Sequence, residues 1–280
     1  KPSPVPDPAA TLAESAGGIM DLAGGGIAQN GVCWACHGAM SYERTPYVGP
    51  KVLMGKAETG PVTNDGTGSA LITAYVVDHD GDLNTVEIDL SPIGGSPNQA
   101  MTDSGGGLYS YQVDIPAGTP DSPLTFVIAA TDAAANISIG SATVLVVDPD
   151  CIYVNDSEAE YAGTWTAASG VSAAYNSDHH YHATGTGTNT ATWTPNMPEA
   201  GNYEVYAWWA ASSNRATDAP YTIYYDGGSQ TIDINQEING SQWVLLGTYS
   251  FAVGTSGYIV LSDDANEYVM ADAIKLKPQL

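Results

Sequence analysis

Short apolar runs that alternate with polar residues recur along most of the chain, and this pattern restricts the fold more than any other feature of the sequence. The runs Val86–Leu90 and Tyr203–Trp209 are examples, and Gly, Pro, Asn or Asp residues separate such runs. Alternation with a period of two is typical of β-strands with one buried face. The sequence therefore predicts a mainly β protein, whose 280 residues are enough for two or three domains.

The strength of this pattern divides the chain into three parts. Residues 1–62 are rich in Gly and Pro and show little alternation, whereas the residues from Cys151 onwards are rich in aromatic side chains. We therefore predict a small N-terminal segment with little regular structure at residues 1–62. A β-sandwich at residues 63–149 and a second, jelly-roll-like β-sandwich at residues 150–280 would follow it.

The charge of the chain is strongly negative and unevenly distributed. The net charge is −24, with 31 acidic against 7 basic residues, and residues 1–60 hold four of those bases. A polyanionic surface repels nucleic acid and anionic lipid and attracts divalent cations. We therefore expect no nucleic-acid partner. No run approaches the ~18 consecutive apolar residues of a transmembrane helix, so no membrane span is predicted.

The segment Cys33-Trp34-Ala35-Cys36-His37 carries the strongest chemical signal. Its spacing allows two thiols to add to the vinyl groups of one haem while the next residue binds the iron. A disulfide redox site of this spacing would start a helix in a βαβ fold, and the sequence pattern shows no such fold. A zinc site would need a second Cys or His pair, and this region of the sequence has none. We therefore predict one covalent haem c on Cys33 and Cys36, with His37 as an axial iron ligand.

The residues after this motif extend the pattern. Eleven residues separate His37 from Gly49-Pro50, and Lys51–Gly55 follows. Residues 28–56 thereby resemble the class I cytochrome c family, which has a Gly-Pro-x-Leu-x-Gly stretch at nearly this distance. The resemblance implies that the Pro50 carbonyl orients the proximal histidine.

The chain departs from that family where the distal methionine loop would follow, so it resembles a truncated member. The candidates for the second axial ligand are Met54, Met20 and, from another domain, His180. Each methionine could instead fill a gap in a core.

The middle of the chain resembles a bacterial immunoglobulin-like domain. The resemblance rests on Ala74–Leu83, Val86–Ser91, Ile93–Gly95, Leu108–Tyr111 and Phe126–Asn136. It implies a spacer module, and the alternation places Leu71, Val86, Ile88, Tyr109, Tyr111, Phe126 and Ile128 in its core.

Three aspartates in this domain are candidate calcium ligands. Asp78, Asp80 and Asp82 alternate around a glycine and offer the hard oxygen ligands that Ca²⁺ prefers. The glycine is misplaced for an EF-hand, and an ordinary Asp-Gly turn is the alternative.

The last domain resembles the golvesin C-terminal domain, which also occurs beside xanthan-lyase-type enzymes. The resemblance rests on Gly163–Thr166, Thr190–Pro195, Ala200–Trp209, Asn214–Tyr221, Asn235–Gln236, Gln242–Gly247 and Ala271–Ile274. It implies a binding or structural β-sandwich without catalytic residues, with glycans as possible ligands. Cys151 has no partner within the chain once haem takes the other two cysteines, so it is either buried or paired with another chain, and we expect burial at the domain junction.

These features together predict a monohaem electron carrier that is not an enzyme. Because c-type haem is attached after export, we expect an extracellular or cell-surface location. One haem carries electrons only a short way, so the hypothesis includes a homopolymer that lines up haems. Redox partner cytochromes or extracellular acceptors would exchange electrons with it. Two alternatives remain open: a surface adhesion or glycan-binding protein with an accessory haem, and a small haem peroxidase-like enzyme.

Overall fold

The structure is a computed structural model that describes residues 49–279 and the backbone of two short paired strands, β1 (Ile27–Ala28) and β2 (Val32–Cys33). The described chain is mainly β, as the alternation predicts. Short 3₁₀ helices lie at Ser91–Ile93, Asp156–Glu158 and Tyr175–Ser177. Within this part of the chain, no helix has the length and apolar character needed to cross a membrane.

The first sandwich has two sheets, and most of their strand pairs are antiparallel. One sheet has the order β3-β5-β9-β8 and the other the order β4-β11-β10-β6-β7. The strands are β3 (Lys51–Ala57), β4 (Val62–Thr63), β5 (Ser69–Val77), β6 (Leu83–Ile88), β7 (Gln99–Ala100), β8 (Thr102–Asp103), β9 (Leu108–Asp114), β10 (Pro123–Asp132) and β11 (Ile137–Val147).

The core of this sandwich follows the alternation along its strands. Val86, Ile88, Phe126 and Ile128 are buried, as predicted. The expectation for Leu71 is wrong, because Ala70 and Ile72 are the residues of β5 that point inward. A shift of one residue moves a side chain to the opposite face of a strand. Strand β3 begins at Lys51, before the boundary predicted at residue 62, and it pairs with β5.

The second sandwich contains three sheets around an aromatic core. Their orders are β12-β23-β17-β20, β13-β16-β21-β18-β19 and β14-β15-β22. Trp193, Trp209, Tyr221 and Phe251 are fully buried between them. The strands are β12 (Ile152–Val154), β13 (Glu160–Ala162), β14 (Thr166–Ser169), β15 (Asp178–His182), β16 (Thr190–Trp193), β17 (Gly201–Trp208), β18 (Ala219–Tyr225), β19 (Gly228–Ile234), β20 (Val244–Phe251), β21 (Tyr258–Ser262), β22 (Val269–Ala271) and β23 (Ala273–Pro278).

Cys151 lies between the two sandwiches. It is a free thiol of intermediate exposure, and burial together with the nearby Asp148 carboxylate raises its pKa to about 12. A thiol with so high a pKa is protonated at neutral pH and therefore a poor nucleophile.

Candidate functional site

The side chains predicted to hold the haem lie outside the described residues. The backbone of Cys33 pairs with Ile27 at the end of β2, but nothing is described of the side chain. Cys36, His37 and Met20 are not described at all. Covalent haem attachment through Cys33 and Cys36 therefore stays a prediction, which a haem stain of a denaturing gel would test.

The other residues predicted around the iron are described, and they lie in different sandwiches. Met54 is 62% exposed in β3, opposite Tyr75 on the neighbouring strand. Pro50 is buried just before β3. His180 lies in β15, where its Nδ1 is 2.7 Å from Asp156 Oδ2. An iron-ligand role for Met54 or His180 stays untested.

The three aspartates predicted to bind calcium do lie together. Carboxylate oxygens of Asp78, Asp80 and Asp82 are within 4.8 Å of one another. Asp78 Oδ2 accepts the Leu83 N–H at 2.7 Å, whereas its Oδ1 is buried without a partner in the described part of the chain. Burial and the neighbouring Asp80 raise the pKa of Asp78. A divalent cation would satisfy the free oxygen, and calcium binding stays a prediction.

The histidines of the second sandwich are divided between the two faces of β15. His180 and His182 share one face, and His179 lies on the other, as the period of a strand requires. His179 is 3% exposed, and burial lowers its pKa, with a smaller contribution from the positive charge of Arg215. His180 and His182 are therefore accessible at the surface, whereas His179 is not.

A buried carboxylate fixes His180 in place. Asp156, which is 1% exposed, lies directly beneath the imidazole. Burial raises the pKa of Asp156, and the hydrogen bond with His180 partly opposes that shift. The Tyr161 ring lies 4.4 Å from the His180 ring between centroids, and its hydroxyl donates to the Asp156 carbonyl oxygen at 2.8 Å. The side chain and the carbonyl oxygen of Asp156 thus hold the His180 and Tyr161 rings in place.

Trp165 and His182 extend this arrangement along the surface. The Trp165 ring centroid is 5.5 Å from that of Tyr161 and 5.5 Å from that of His182. His182 Nδ1 lies 2.7 Å from the Ala183 carbonyl oxygen and 3.4 Å from Asp263 Oδ2. All four rings are partly exposed. We name this set the aromatic row; it comprises Tyr161, Trp165, His180 and His182.

Asp263 organises the loops next to the aromatic row. It is 0% exposed, its Oδ1 accepts the Gly187 N–H at 2.8 Å, and its Oδ2 accepts the Asn189 amide at 2.5 Å. Burial alone would raise its pKa, but the hydrogen bonds from Asn189 and Gly187 and the nearby His182 hold that pKa below its usual value. The carboxylate therefore stays ionised and binds one loop to another.

Further hydrogen bonds attach a third loop. The Asn266 N–H donates to Asp218 Oδ1 at 2.8 Å, and the Thr217 N–H donates to Asn266 Oδ1 at 3.1 Å. The Ala216 N–H donates to the Tyr268 carbonyl oxygen at 2.8 Å. Three loops thus form one continuous surface at this end of the sandwich. We name it the loop end; it comprises residues 183–189, 211–218 and 263–268.

Sequence reasoning missed Trp165 and Asp263 as parts of a site. The available signal is glycine, because a Cβ at Gly163 would overlap Asn189 and a Cβ at Gly185 would overlap the Asp263 carboxylate. Glycines with no room for a side chain mark places where the backbone closely approaches another group.

Comparison with known proteins gives matches for the second sandwich. Residues 151–278 match the golvesin C-terminal domain family. Over 118 residues the chain is 36% identical to a xanthan lyase of Bacillus sp. (strain GL1), and this match covers 40% of the chain and 13% of the enzyme.

The chain also has partial matches among solved structures. A Paenibacillus xanthan lyase has 27% identity and a TM-score of 0.45, over 80% of this chain and 23% of that chain. A family 35 carbohydrate-binding module from Clostridium thermocellum has 14% identity and a TM-score of 0.36, over 45% of this chain and 97% of that module. The chain spans less than a quarter of either xanthan lyase.

These findings correct the predicted function. The prediction of a cytochrome-like electron carrier that lines up haems in a polymer is wrong, because the matched residues are similar to part of a xanthan lyase. The predicted golvesin-like character of the last domain is confirmed, and residues 151–278 form a golvesin-like β-sandwich.

Proposed function

We propose that the second sandwich is a glycan-binding module, and that it contacts sugars through the aromatic row and the adjoining loop end. The observation that carries this proposal is the aromatic row itself. Its four partly exposed rings lie side by side, and buried Asp156 and Asp263 fix the two histidines among them.

Fixed rings with polar edges suit the two kinds of surface that a sugar presents. The C–H face of a pyranose packs against an aromatic ring, while the sugar hydroxyls need hydrogen-bonding partners at the side. Trp165 offers a ring, and the second nitrogen of each imidazole offers a polar partner. Because these side chains are already held, little conformational entropy is lost when a ligand binds.

The similarity to a xanthan lyase supports a carbohydrate ligand and an extracellular or cell-surface location. The arrangement favours binding over catalysis, because the two carboxylates next to the histidines of the row are buried, with Asp156 1% and Asp263 0% exposed. A general acid or base must reach the reacting bond of its substrate.

Replacement of the tryptophan tests the proposal. We expect Trp165→Ala to weaken binding to a polysaccharide such as xanthan by roughly 3–10-fold, because an aromatic contact contributes about 0.5–1.5 kcal/mol. Affinity gel electrophoresis of the full chain would measure the change in mobility.

The matched control is Tyr258→Ala. The Tyr258 ring of β21 stacks on the Tyr224 ring of β18, with 4.4 Å between their centroids, and it is also partly exposed. The proposal fails if no polysaccharide in a broad panel retards the wild-type protein, or if both variants lose binding equally.

A further inference from the structure

Arg215 at the loop end has an unusual electrostatic setting. The chain has 31 acidic and 7 basic residues, yet Arg215 forms no ion pair within the described residues. Its Nε donates to the Ala210 carbonyl oxygen at 3.4 Å and its Nη1 donates to Asn214 Oδ1 at 2.8 Å. The guanidinium is partly buried, and this burial lowers its pKa. Partial removal of a cation from water costs free energy when no anion compensates its charge.

Two acidic side chains of the loop end already have other partners. Asp218 accepts the Asn266 N–H, and Asp263 accepts hydrogen bonds from Gly187 and Asn189. These carboxylates stabilise the loops instead of neutralising Arg215. The loop end therefore holds one guanidinium that forms no ion pair with the described residues, alongside the exposed carboxylates of Asp264 and Glu267.

Two tyrosines lie near Arg215 in the fold. The backbone of Arg215 forms a β-bridge with Tyr268, whose ring lies 5.9 Å from that of Tyr181 in an edge-to-face arrangement. Tyr181 in turn lies 6.3 Å from His179, whose Nδ1 is buried and has no partner in the described part of the chain. The exposed Tyr268 is thus the backbone neighbour of Arg215, whereas the unsatisfied Nδ1 of His179 is buried and is not part of this surface.

We propose that Arg215 binds the carboxylate of an acidic sugar, so that the glycan recognised by this module is carboxylated. This inference rests on the proposed glycan-binding function. A guanidinium presents parallel N–H donors that match the two oxygens of a carboxylate, and such bidentate pairs are stronger than neutral hydrogen bonds. Tyr268, whose backbone is bridged to that of Arg215, offers an exposed ring to the sugar that carries the acid.

The overall charge gives this binding a distinctive salt dependence. A chain with a net charge of −24 repels an acidic polymer at low ionic strength. The Debye length falls from about 30 Å at 0.01 M salt to about 8 Å at 0.15 M, so salt removes the long-range repulsion first. The partly buried Arg215 contact is screened less. We therefore expect binding to strengthen between these two salt concentrations.

The test compares xanthan and polygalacturonate with the carboxyl-reduced form of each polymer, using the full chain and isothermal titration calorimetry. We expect at least one carboxylated polymer to bind about tenfold more tightly than its reduced form. Arg215→Gln should abolish that preference, and Arg215→Lys should keep only part of it because the fork is lost. Lys56→Gln removes the same charge from an exposed residue of the first sandwich and should leave the preference unchanged.

The outcomes separate this inference from the function on which it rests. Equal binding of the native and reduced polymers overturns the role of Arg215 and leaves glycan binding intact. Absence of binding to any polymer overturns both. The comparison of each native polymer with its reduced form uses the wild-type protein. It therefore tests the preference for carboxylated glycans even if Arg215→Gln fails to fold. Where that variant folds, equal losses for Arg215→Gln and Lys56→Gln would also overturn the assignment.

Discussion

At the scale of single residues, the buried carboxylates of the second sandwich differ in how their charge is compensated. Asp263 accepts several N–H donors, and these hold its pKa below the usual value despite burial. Asp272 is equally buried, but its two oxygens share one donor, the Tyr175 N–H, at 3.2 and 3.3 Å. Burial therefore raises the pKa of Asp272 well above its usual value, and Asp156 and Asp178 add to the shift.

Asp272→Asn should stabilise the protein at neutral pH. A carboxyl whose pKa is higher in the folded state than in the unfolded state stabilises the fold below the unfolded pKa, and this stabilisation is lost as the pH rises through the folded pKa. Asparagine keeps an oxygen for the Tyr175 N–H and has no charge to bury. We expect a melting temperature roughly 2–4 °C higher at pH 8, equivalent to about 1 kcal/mol, with no gain at pH 3.5. An equal loss of stability at both pH values would show that the fold needs the carboxylate.

Calcium should stabilise the first sandwich through Asp78, Asp80 and Asp82. A site with dissociation constant of about 0.1–1 mM, typical of extracellular modules, gives about 1.4–2.7 kcal/mol at ~10 mM Ca²⁺. Scanning calorimetry with calcium and with a chelator would show the shift. Asp78→Asn should abolish it, while Asp103→Asn, which removes the same charge from the exposed end of β8, should not. An unchanged melting curve would mean that the aspartates form a plain turn.

At the scale of strands, the sequence predicts which residues alternate but not always which set faces the core. The period of a strand alone accounts for the separation of His179 from His180 and His182, because it depends only on the backbone. It misplaces Leu71, because the inward face of β5 is fixed by pairing with β3 and β9, which is not a local property. The contacts of Asp156 with His180, 24 residues apart, depend on the same long-range folding.

The packing of β3 against β11 is tight enough to exclude a methyl group. A Cβ added at Gly55 would lie 2.3 Å from the Ser141 carbonyl oxygen, whereas a Cβ added at Gly60 would meet nothing within 4 Å. Gly55→Ala should therefore destabilise the protein by about 1–3 kcal/mol, and Gly60→Ala should be neutral or stabilise it by about 0.4–1 kcal/mol. Urea denaturation midpoints would compare the two variants. Equal midpoints would mean that β3 and β11 can move apart to accommodate the methyl group without loss of stability.

At the scale of the whole molecule, the two sandwiches share a buried junction. Lys275 of the second sandwich is 5% exposed, and its Nζ lies 2.9 Å from Asp121 Oδ2 of the first. The Tyr153 hydroxyl donates to the same oxygen at 2.8 Å, and the Trp243 indole N–H donates to the Asp121 carbonyl oxygen at 2.8 Å. The Lys275 ammonium also lies over the Trp243 ring, 5.0 Å from its centroid. These contacts predict that the two sandwiches unfold as one unit.

Loss of the lysine should uncouple them. Lys275→Met leaves the Asp121 carboxylate without its cation at the junction, and removal of one partner from a buried pair costs about 3–5 kcal/mol, reduced here because Asp121 is partly exposed. Scanning calorimetry should then resolve two transitions where the wild-type protein has one.

The control is Lys277→Gln, which breaks a pair in which the lysine is exposed and its Nζ lies 3.3 Å from Asp148. This variant should cost less than about 1 kcal/mol and keep a single transition. The double variant Lys275→Met with Asp121→Asn should recover part of the loss, because no unpaired charge remains. A single unshifted transition in Lys275→Met would mean that the aromatic contacts alone join the two sandwiches.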